Sequence, residues 1–156
     1  MTVAAIGAVI VASKLSKINT VKLDTDKLSV SKEAKKRGSG YLNVALFGVD
    51  SRDNDLDKGT RSDTIMIASL NKKTMKVKIA SIYRDTLSEQ EDGTLNKINA
   101  AYSYGGPEGA LSVLNKNLDM NIEHYVTVNF NSMIDIVDSV GGIDIDVQED
   151  EMPYIC

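Results

Sequence analysis

The sequence predicts an α/β fold in which helices are layered on a mixed central sheet. From residue 41 onward, the chain contains apolar segments of strand length and segments in which apolar residues recur at helical spacing. Glycine pairs and a proline separate these segments. The 156 residues, of which 42% are hydrophobic and 26% charged, are enough for one domain with a buried core. This composition excludes disordered and collagen-like classes.

Three parts are predicted along the chain. Residues 1–18 begin with an uncharged apolar run, MTVAAIGAVIVA, which is shorter than the roughly 20 residues that cross a bilayer. We interpret this part as a partial transmembrane anchor, and a buried or interfacial helix is the alternative. Residues 19–40 are rich in Lys, Ser, Thr and Asp and are predicted to form a polar linker. The compact domain is predicted over residues 41–156.

The first half of this domain is predicted to form three strands. Tyr41–Val49 is continuously apolar, as expected of a central strand buried on both faces. Asp63–Leu70 is a second apolar strand, and Lys76–Ile82 alternates polar and apolar residues. The short turn between these two predicts a hairpin. Residues 83–96 are predicted to be a polar loop.

A broken helix is predicted next. Ile98–Tyr104 can form a short helix, and Gly105-Gly106 interrupts it. Pro107 suits the first turn of a second helix that runs to about Leu118. Leu111, Leu114 and Leu118 lie at helical spacing in that helix, as do Met133, Ile136 and Val137 in the next helical segment, and both sets are expected to pack in the core.

The last predicted elements are a strand, a helix and a strand. His124–Phe130 alternates as a strand does. Asn131 is the predicted N-cap of a helix over Ser132–Val140, which Gly141-Gly142 ends. Ile143–Val147 is predicted to be a final strand.

Charged residues lie where the first three predicted strands begin or end. If the second strand runs antiparallel to the other two, all of these residues meet at one edge of the sheet, where α/β proteins commonly bind ligands. They are Asp50 and Arg52 after the first strand, Arg61 and Asp63 at the start of the second, and Arg84 and Asp85 after the third.

These residue types point to phosphate chemistry. Asp50 and Asp63 can hold a Mg²⁺ ion between them, since carboxylate oxygens are its usual ligands. The planar forks of Arg52, Arg61 and Arg84 match a pyrophosphate. A phosphoryl-transfer site is one interpretation, and solvated loop residues with weak surface ion pairs are the other.

The remaining composition argues against other classes of site. The net charge of −4, with no basic patch, argues against a nucleic-acid partner. The single histidine and single cysteine argue against a histidine-based zinc site or a serine–histidine–aspartate triad.

Four ordered motifs carry a resemblance to a known family. They are NVALFGVDSRD, GTRSDTIMIASLNKKTMKVKIASIYRDT, KINAAYSYGGPEGALSVL and YVTVNFNSMIDIVDSVGGIDIDV. Over residues 43–147 the chain resembles LytR-CpsA-Psr domains. The resemblance implies an α/β/α sandwich with a hydrophobic tunnel for a polyprenyl pyrophosphate. It also implies transfer of a glycopolymer, such as teichoic acid or capsular polysaccharide, from that lipid to Gram-positive peptidoglycan. Such enzymes are anchored in the cell membrane and act outside the cytoplasm.

The resemblance also implies roles for individual residues. The magnesium-associated aspartates correspond to Asp50 and Asp63, and the pyrophosphate-site arginines to Arg52, Arg61 and Arg84. Arg52, Arg84 and Asp85 are also implied to be the catalytic residues. Asp85 is implied to orient Arg84 or to help activate the acceptor. Lys97 and Asn99, in the KINAAY motif, are implied to lie beside the site as substrate-binding residues. Tyr102 and Tyr104 are expected in the core, with the tunnel wall as the alternative.

The chain departs from the family pattern at two points. Tyr83 stands where the family usually has proline. The family domain continues beyond the position of Cys156 with a further arginine-bearing segment, so the resemblance implies an incomplete catalytic domain. Three alternative functions stay open: a non-catalytic module that binds polyprenyl lipid for an assembly, a pyrophosphate hydrolase and a transcriptional attenuator.

Overall fold

The structure, a computed structural model, describes residues 20–51, 56 and 59–154. Within these residues it contains six strands, three α-helices and two short 3₁₀ helices. The strands are β1 (Tyr41–Val49), β2 (Ser62–Asn71), β3 (Val77–Ile82), β4 (Leu87–Glu89), β5 (Leu95–Lys97) and β6 (His124–Val128). The α-helices are α1 (Lys32–Gly38), α2 (Ala100–Leu118) and α3 (Phe130–Ser139), and the 3₁₀ helices are Thr25–Lys27 and Met152–Tyr154.

Four strands form a mixed sheet in the order β3-β2-β1-β6. β2 is antiparallel to both β1 and β3, and β6 is parallel to β1. The predicted α/β class, the mixed sheet and the first three strands are therefore confirmed. β4 and β5 form a separate two-stranded antiparallel hairpin. The carboxyl ends of β1, β3 and β6 lie at the same edge as the amino end of β2, and we call this the carboxyl edge.

The core lies between one face of the sheet and α2. β1 lies between β2 and β6 and is therefore a central strand, as predicted. Every second residue from Asn43 to Val49 is buried while the residues between them are partly exposed, so the prediction that both faces are buried is wrong for the part of the chain that the structure describes. Phe47 meets Tyr102 of α2 edge to face, with ring centroids 5.2 Å apart. Leu111 and Leu114 are 0% and 1% exposed, which confirms that they belong to the core. Each such side chain contributes about 1.5–3 kcal/mol by leaving water.

Three other residues predicted for the core lie outside it. Leu118, in the last turn of α2, is 39% exposed, and Met133 and Ile136 of α3 are 47% and 46% exposed, so the prediction that they pack in the core is wrong. Val137 of α3 is partly buried.

The predicted break within the second helical segment is confirmed as a kink in α2. Gly106 has φ 63° and ψ −156°, a conformation that side chains with a Cβ rarely adopt. Pro107 follows directly, and its missing N–H suits the first turn of the continuing helix.

The segment predicted as a polar linker packs on the domain instead of forming an open tether. Leu28 and Ala34 are 0% and 2% exposed. Ser31 caps α1 by accepting a hydrogen bond from the Ala34 N–H at 2.9 Å, and its hydroxyl donates to Asp119 at 2.9 Å. Arg37, in the last turn of α1, also pairs with Asp119. Leu23 and Val30 are partly buried against the same core, so several apolar residues attach the segment together with the contacts to Asp119.

Two predictions near the end of the chain are wrong. The N-cap of α3 is Asn129 and not Asn131, because the Asn129 side chain accepts the Ser132 N–H at 2.8 Å. Residues 143–147 do not form a strand, and Ile143 and Ile145 are 63% and 71% exposed. Among the described residues, no strand lies beside residues 143–147. A strand needs such a neighbour for its backbone hydrogen bonds, so an alternating sequence pattern is not sufficient.

The predicted membrane anchor lies outside the described residues. Among residues 20–51, 56 and 59–154, no helix has both the length and the apolar character that crossing a bilayer requires. The anchor over residues 1–18 therefore stays a prediction.

A buried asparagine joins three parts of the fold. Asn115 of α2 is 2% exposed. Its Nδ2 donates to the carbonyl oxygens of Leu28 and Ile122 at 2.9 and 3.0 Å, and its Oδ1 accepts the Ile122 N–H at 2.7 Å. One side chain thereby holds the N-terminal segment, α2 and the approach to β6 together.

We predict that Asn115→Ala lowers the free energy of unfolding by about 3 kcal/mol or more, because three buried backbone groups lose their partner. Asn117→Ala is the matched control, since Asn117 also makes three hydrogen bonds but is exposed. Denaturant titration of both variants measures the difference. If both variants lost the same free energy of unfolding, burial would not be the reason that Asn115 stabilises the fold.

We predict that Asp119 contributes to the stability of the folded chain in a pH-dependent way. Hydrogen bonds from Arg37 and then Ser31 hold the pKa of this carboxyl below its ordinary value of 3.8. The stabilisation by Asp119 is therefore fully present above pH 3.8, the ordinary pKa that the unfolded chain has. It is lost as the pH falls through the lower pKa of the folded chain. Asp119→Asn, which tolerates the same left-handed backbone, should destabilise the chain at pH 7, and the difference from wild type should shrink below pH 3.8. Thermal unfolding across pH checks this, and a difference independent of pH would refute it.

Candidate functional site

The structure brings the predicted charged segments together at the carboxyl edge. Val49 pairs with Ser62, so Asp50 follows β1 beside the start of β2, where Arg61 lies. Ile65 pairs with Ile82, so the residues after β3 also reach this edge. Arg52 lies outside the described residues, and its place in the site stays a prediction.

A β-bulge positions Asp63 in this edge. Gly48 pairs with Thr64 while Val49 pairs with Ser62, so Asp63 has no partner on β1. Bulges of this kind redirect a side chain and are common beside active sites. The Asp63 carboxylate accepts a hydrogen bond from Arg84 Nη1 at 2.5 Å.

A tight turn follows β3 and presents the next two charges. The Thr86 N–H donates to the Tyr83 carbonyl oxygen at 2.9 Å, which makes Arg84 and Asp85 the two central residues of a β-turn. The turn therefore fixes the point after β3 from which both side chains extend.

The hairpin β4–β5 returns the chain to this turn. Lys97 pairs with Leu87, and its Nζ lies 2.6 Å from the Asp85 carboxylate. The Asn99 N–H donates to the Arg84 carbonyl oxygen at 3.2 Å. This hairpin was predicted as part of a loop. The Asp92-Gly93 pair, with Gly93 at φ 81°, was the signal that could have revealed it.

Four side chains of alternating sign thus form what we call the charged row: Asp63, Arg84, Asp85 and Lys97. Each is roughly half exposed. The Lys97 hydrogen bond, followed by the charges of Lys97, Arg84 and Arg61, lowers the pKa of Asp85. Asp85 therefore stays ionised near neutral pH and is a poor general base there.

Arg61 lies close enough to act on the Asp85 charge, yet it is exposed and makes no ion pair with a described residue. A guanidinium that pairs with no described residue, beside a row of paired charges, can bind an anion. A phosphate would meet Arg61 and the donors of Arg84 and Lys97 that the carboxylates leave unused.

Two buried polar atoms at this edge lack a hydrogen-bond partner among the described residues. They are Oγ of Ser62, which is 0% exposed, and Oδ1 of Asn99, which is 4% exposed. Such atoms are rare because each costs about 1–3 kcal/mol unless water or a ligand supplies the bond. Ser62 was not predicted as a site residue, and only its place between Arg61 and Asp63 could have indicated it.

The two tyrosines that follow in α2 differ. Tyr102 is 0% exposed, as expected for the core, and its hydroxyl donates to the Leu56 carbonyl oxygen at 2.6 Å. Tyr104 is 67% exposed, so the prediction that it packs in the core is wrong. It lies on the outward side of α2, and its hydroxyl accepts a weak bond from Asn96 at 3.4 Å.

Known proteins resemble the chain in both sequence and fold. The LytR_cpsA_psr family model matches residues 7–155. The polyisoprenyl-teichoic acid–peptidoglycan teichoic acid transferase TagU of Bacillus cereus is 39% identical over 126 residues, which is 80% of this chain and 40% of TagU. The chain thus spans about two-fifths of the length of such curated relatives.

Solved structures agree with this match. TagV of B. subtilis is 35% identical with a TM-score of 0.60, and the match covers 69% of this chain and 43% of TagV. YwtF (TagT) with bound octaprenyl pyrophosphate lipid is 26% identical with a TM-score of 0.68, over 85% of this chain and 52% of YwtF. These matches confirm the predicted fold. With a family match across nearly its whole length, the chain belongs to the LytR-CpsA-Psr family.

Proposed function

We propose that this chain forms the pyrophosphate-binding part of an enzyme that transfers a glycopolymer from a polyprenyl-pyrophosphate carrier to peptidoglycan. The observation that carries the proposal is the charged row at the carboxyl edge, with Arg61 beside it, which forms no ion pair with any residue that the structure describes. The name of TagU, a teichoic acid transferase, and the octaprenyl pyrophosphate bound to TagT support the same chemistry.

The proposed reaction is a phosphoryl transfer. A peptidoglycan sugar hydroxyl attacks the phosphorus that carries the glycan, and a new P–O bond forms. The P–O bond to polyprenyl phosphate breaks, the lipid phosphate leaves with the electron pair, and the hydroxyl proton passes to solvent. Arg61 and Arg84 stabilise the negative charge on the phosphates as this exchange proceeds.

Asp85 and Lys97 position the turn in this proposal. The Asp85 carboxylate accepts a hydrogen bond from Lys97 at 2.6 Å, which lowers the pKa of Asp85 and holds Lys97 beside Arg84. The resemblance left open whether Asp85 orients Arg84 or activates the acceptor. The lowered pKa favours the orienting role.

A Mg²⁺ site formed by Asp50 and Asp63 is also part of the proposal. The bond to Arg84 engages one oxygen of Asp63, and the other oxygen is left for a cation. The described residues contain no group of three or more acidic, histidine or cysteine side chains fit to hold a metal. A Mg²⁺ ion commonly needs only one or two carboxylates plus water and phosphate oxygens, so two aspartates fit it. The ion would neutralise phosphate charge.

We further propose that the domain acts outside the cytoplasmic membrane, tethered by a single-pass anchor within residues 1–18. The proposed acceptor, peptidoglycan, lies on that side. The name of TagU, which transfers onto peptidoglycan, supports this location.

We predict that Arg84→Ala lowers the rate of polyprenyl phosphate release about 100-fold or more, because the guanidinium would stabilise charge that develops during transfer. Arg84→Lys should recover only part of the rate, since lysine lacks the planar fork. Release is measured with lipid-linked glycan, with and without acceptor, which also separates transfer from hydrolysis.

Arg37→Ala is the matched control. Arg37 is also exposed and paired with an aspartate, but it lies in α1, away from the carboxyl edge. Its rate should stay within about twofold of wild type. Unchanged release in a folded Arg84→Ala chain would refute the proposed role of Arg84.

A further inference from the structure

An exposed aromatic side chain stands directly before the charged row. Tyr83 is 88% exposed, although it follows a strand of the central sheet. Its ring makes no hydrogen bond or aromatic contact with a described residue. Packing within the described fold therefore gives no reason for an aromatic residue here.

The backbone nevertheless holds Tyr83 in one place. Ile82, the residue before it, pairs with Ile65 in the sheet. The Tyr83 carbonyl oxygen accepts the Thr86 N–H at 2.9 Å and so closes the turn that carries Arg84 and Asp85. Adjacent Cα atoms are about 3.8 Å apart, so the ring is attached one residue from the proposed phosphate-binding guanidinium. A fixed ring at this distance suits a group bonded directly to the bound phosphate.

The chemistry of the surroundings selects the kind of group. Around Tyr83 at the carboxyl edge, the side chains of Asp63, Thr64, Arg84 and Asp85 are exposed and polar. The exposed apolar residues on the same face of β3, Ile79 and Val77, lie four and six residues back along the strand, which is about 13 Å or more from Tyr83. An isoprenoid chain would be placed poorly among charges, whereas a sugar has both apolar C–H faces and hydroxyl groups. A tyrosine offers the matching combination of a flat apolar ring and a polar hydroxyl at low conformational cost.

We propose that the Tyr83 ring is a stacking surface for the sugar bonded to the pyrophosphate of the lipid-linked glycan. Tyr83 is thereby a specificity-determining residue that distinguishes glycan-bearing lipid from bare polyprenyl pyrophosphate. The inference rests on the proposed function, because it requires the phosphates to bind at Arg84.

The test compares two probes on the intact chain in detergent micelles by titration calorimetry. One probe is octaprenyl pyrophosphate, and the other carries a single N-acetylhexosamine on its terminal phosphate. Tyr83→Ala should bind the sugar-bearing probe about tenfold more weakly than wild type, the loss expected for one stacked ring, and the bare probe within about twofold. Tyr83→Phe, which keeps the ring, should keep most of the affinity for the sugar-bearing probe.

Tyr154→Ala is the matched control. Tyr154 is also 88% exposed, but it lies in the 3₁₀ helix Met152–Tyr154 and not in the turn that carries Arg84 and Asp85. It should bind both probes as wild type does. Equal weakening of both probes by Tyr83→Ala, or no weakening of either, overturns the inference while the proposed function stands. Failure of the wild-type chain to bind either probe refutes both.

Discussion

The antiparallel pairing of β2 with both of its neighbours determines where the charges of this chain lie. Because β2 runs against β1 and β3, its first residues meet the last residues of those strands. A parallel β2 of the same length would carry Arg61 and Asp63 about 30 Å away, at the opposite edge. The register matters as well, since the Asp63 bulge exists only because Val49 pairs with Ser62 while Gly48 pairs with Thr64. The site is thus a consequence of strand order, direction and register.

Stability and the site depend on different parts of the molecule. The core between β1 and α2, with Asn115 linking distant backbone groups, accounts for the packed structure. The ion pairs of the charged row are about half exposed, and such pairs contribute about 0–1 kcal/mol each. Stability therefore does not explain four alternating charges at one edge, nor the arginine beside them that pairs with none of the residues described. Binding of a multiply charged anion gives a physical reason.

Periodicity and charge predicted most of the sheet and the site. The continuous apolar run of β1 and the charges at strand ends were sufficient to place Asp50, Arg61, Asp63 and Arg84 at one edge, because strand direction leaves few arrangements. The hairpin that brings Lys97 to Asp85 was missed, since its strands are three residues long and stand outside the main sheet. The packing of Leu28 was missed because the few large apolar residues of its segment, Val21, Leu23, Leu28 and Val30, stand among polar residues without a sustained period. Residues 143–147 were predicted as a strand from their alternating pattern. The prediction failed because alternation alone does not supply a neighbouring strand to pair with.

The central claim is that the carboxyl edge binds a pyrophosphate through Arg84 and a cation beside Asp63. Calorimetric titration of octaprenyl pyrophosphate into wild type and Asp63→Asn, each with and without Mg²⁺, tests it most directly. The account predicts that Mg²⁺ strengthens binding to wild type by about tenfold or more and leaves the affinity of Asp63→Asn unchanged. Equal affinities of both chains under both conditions would contradict the account.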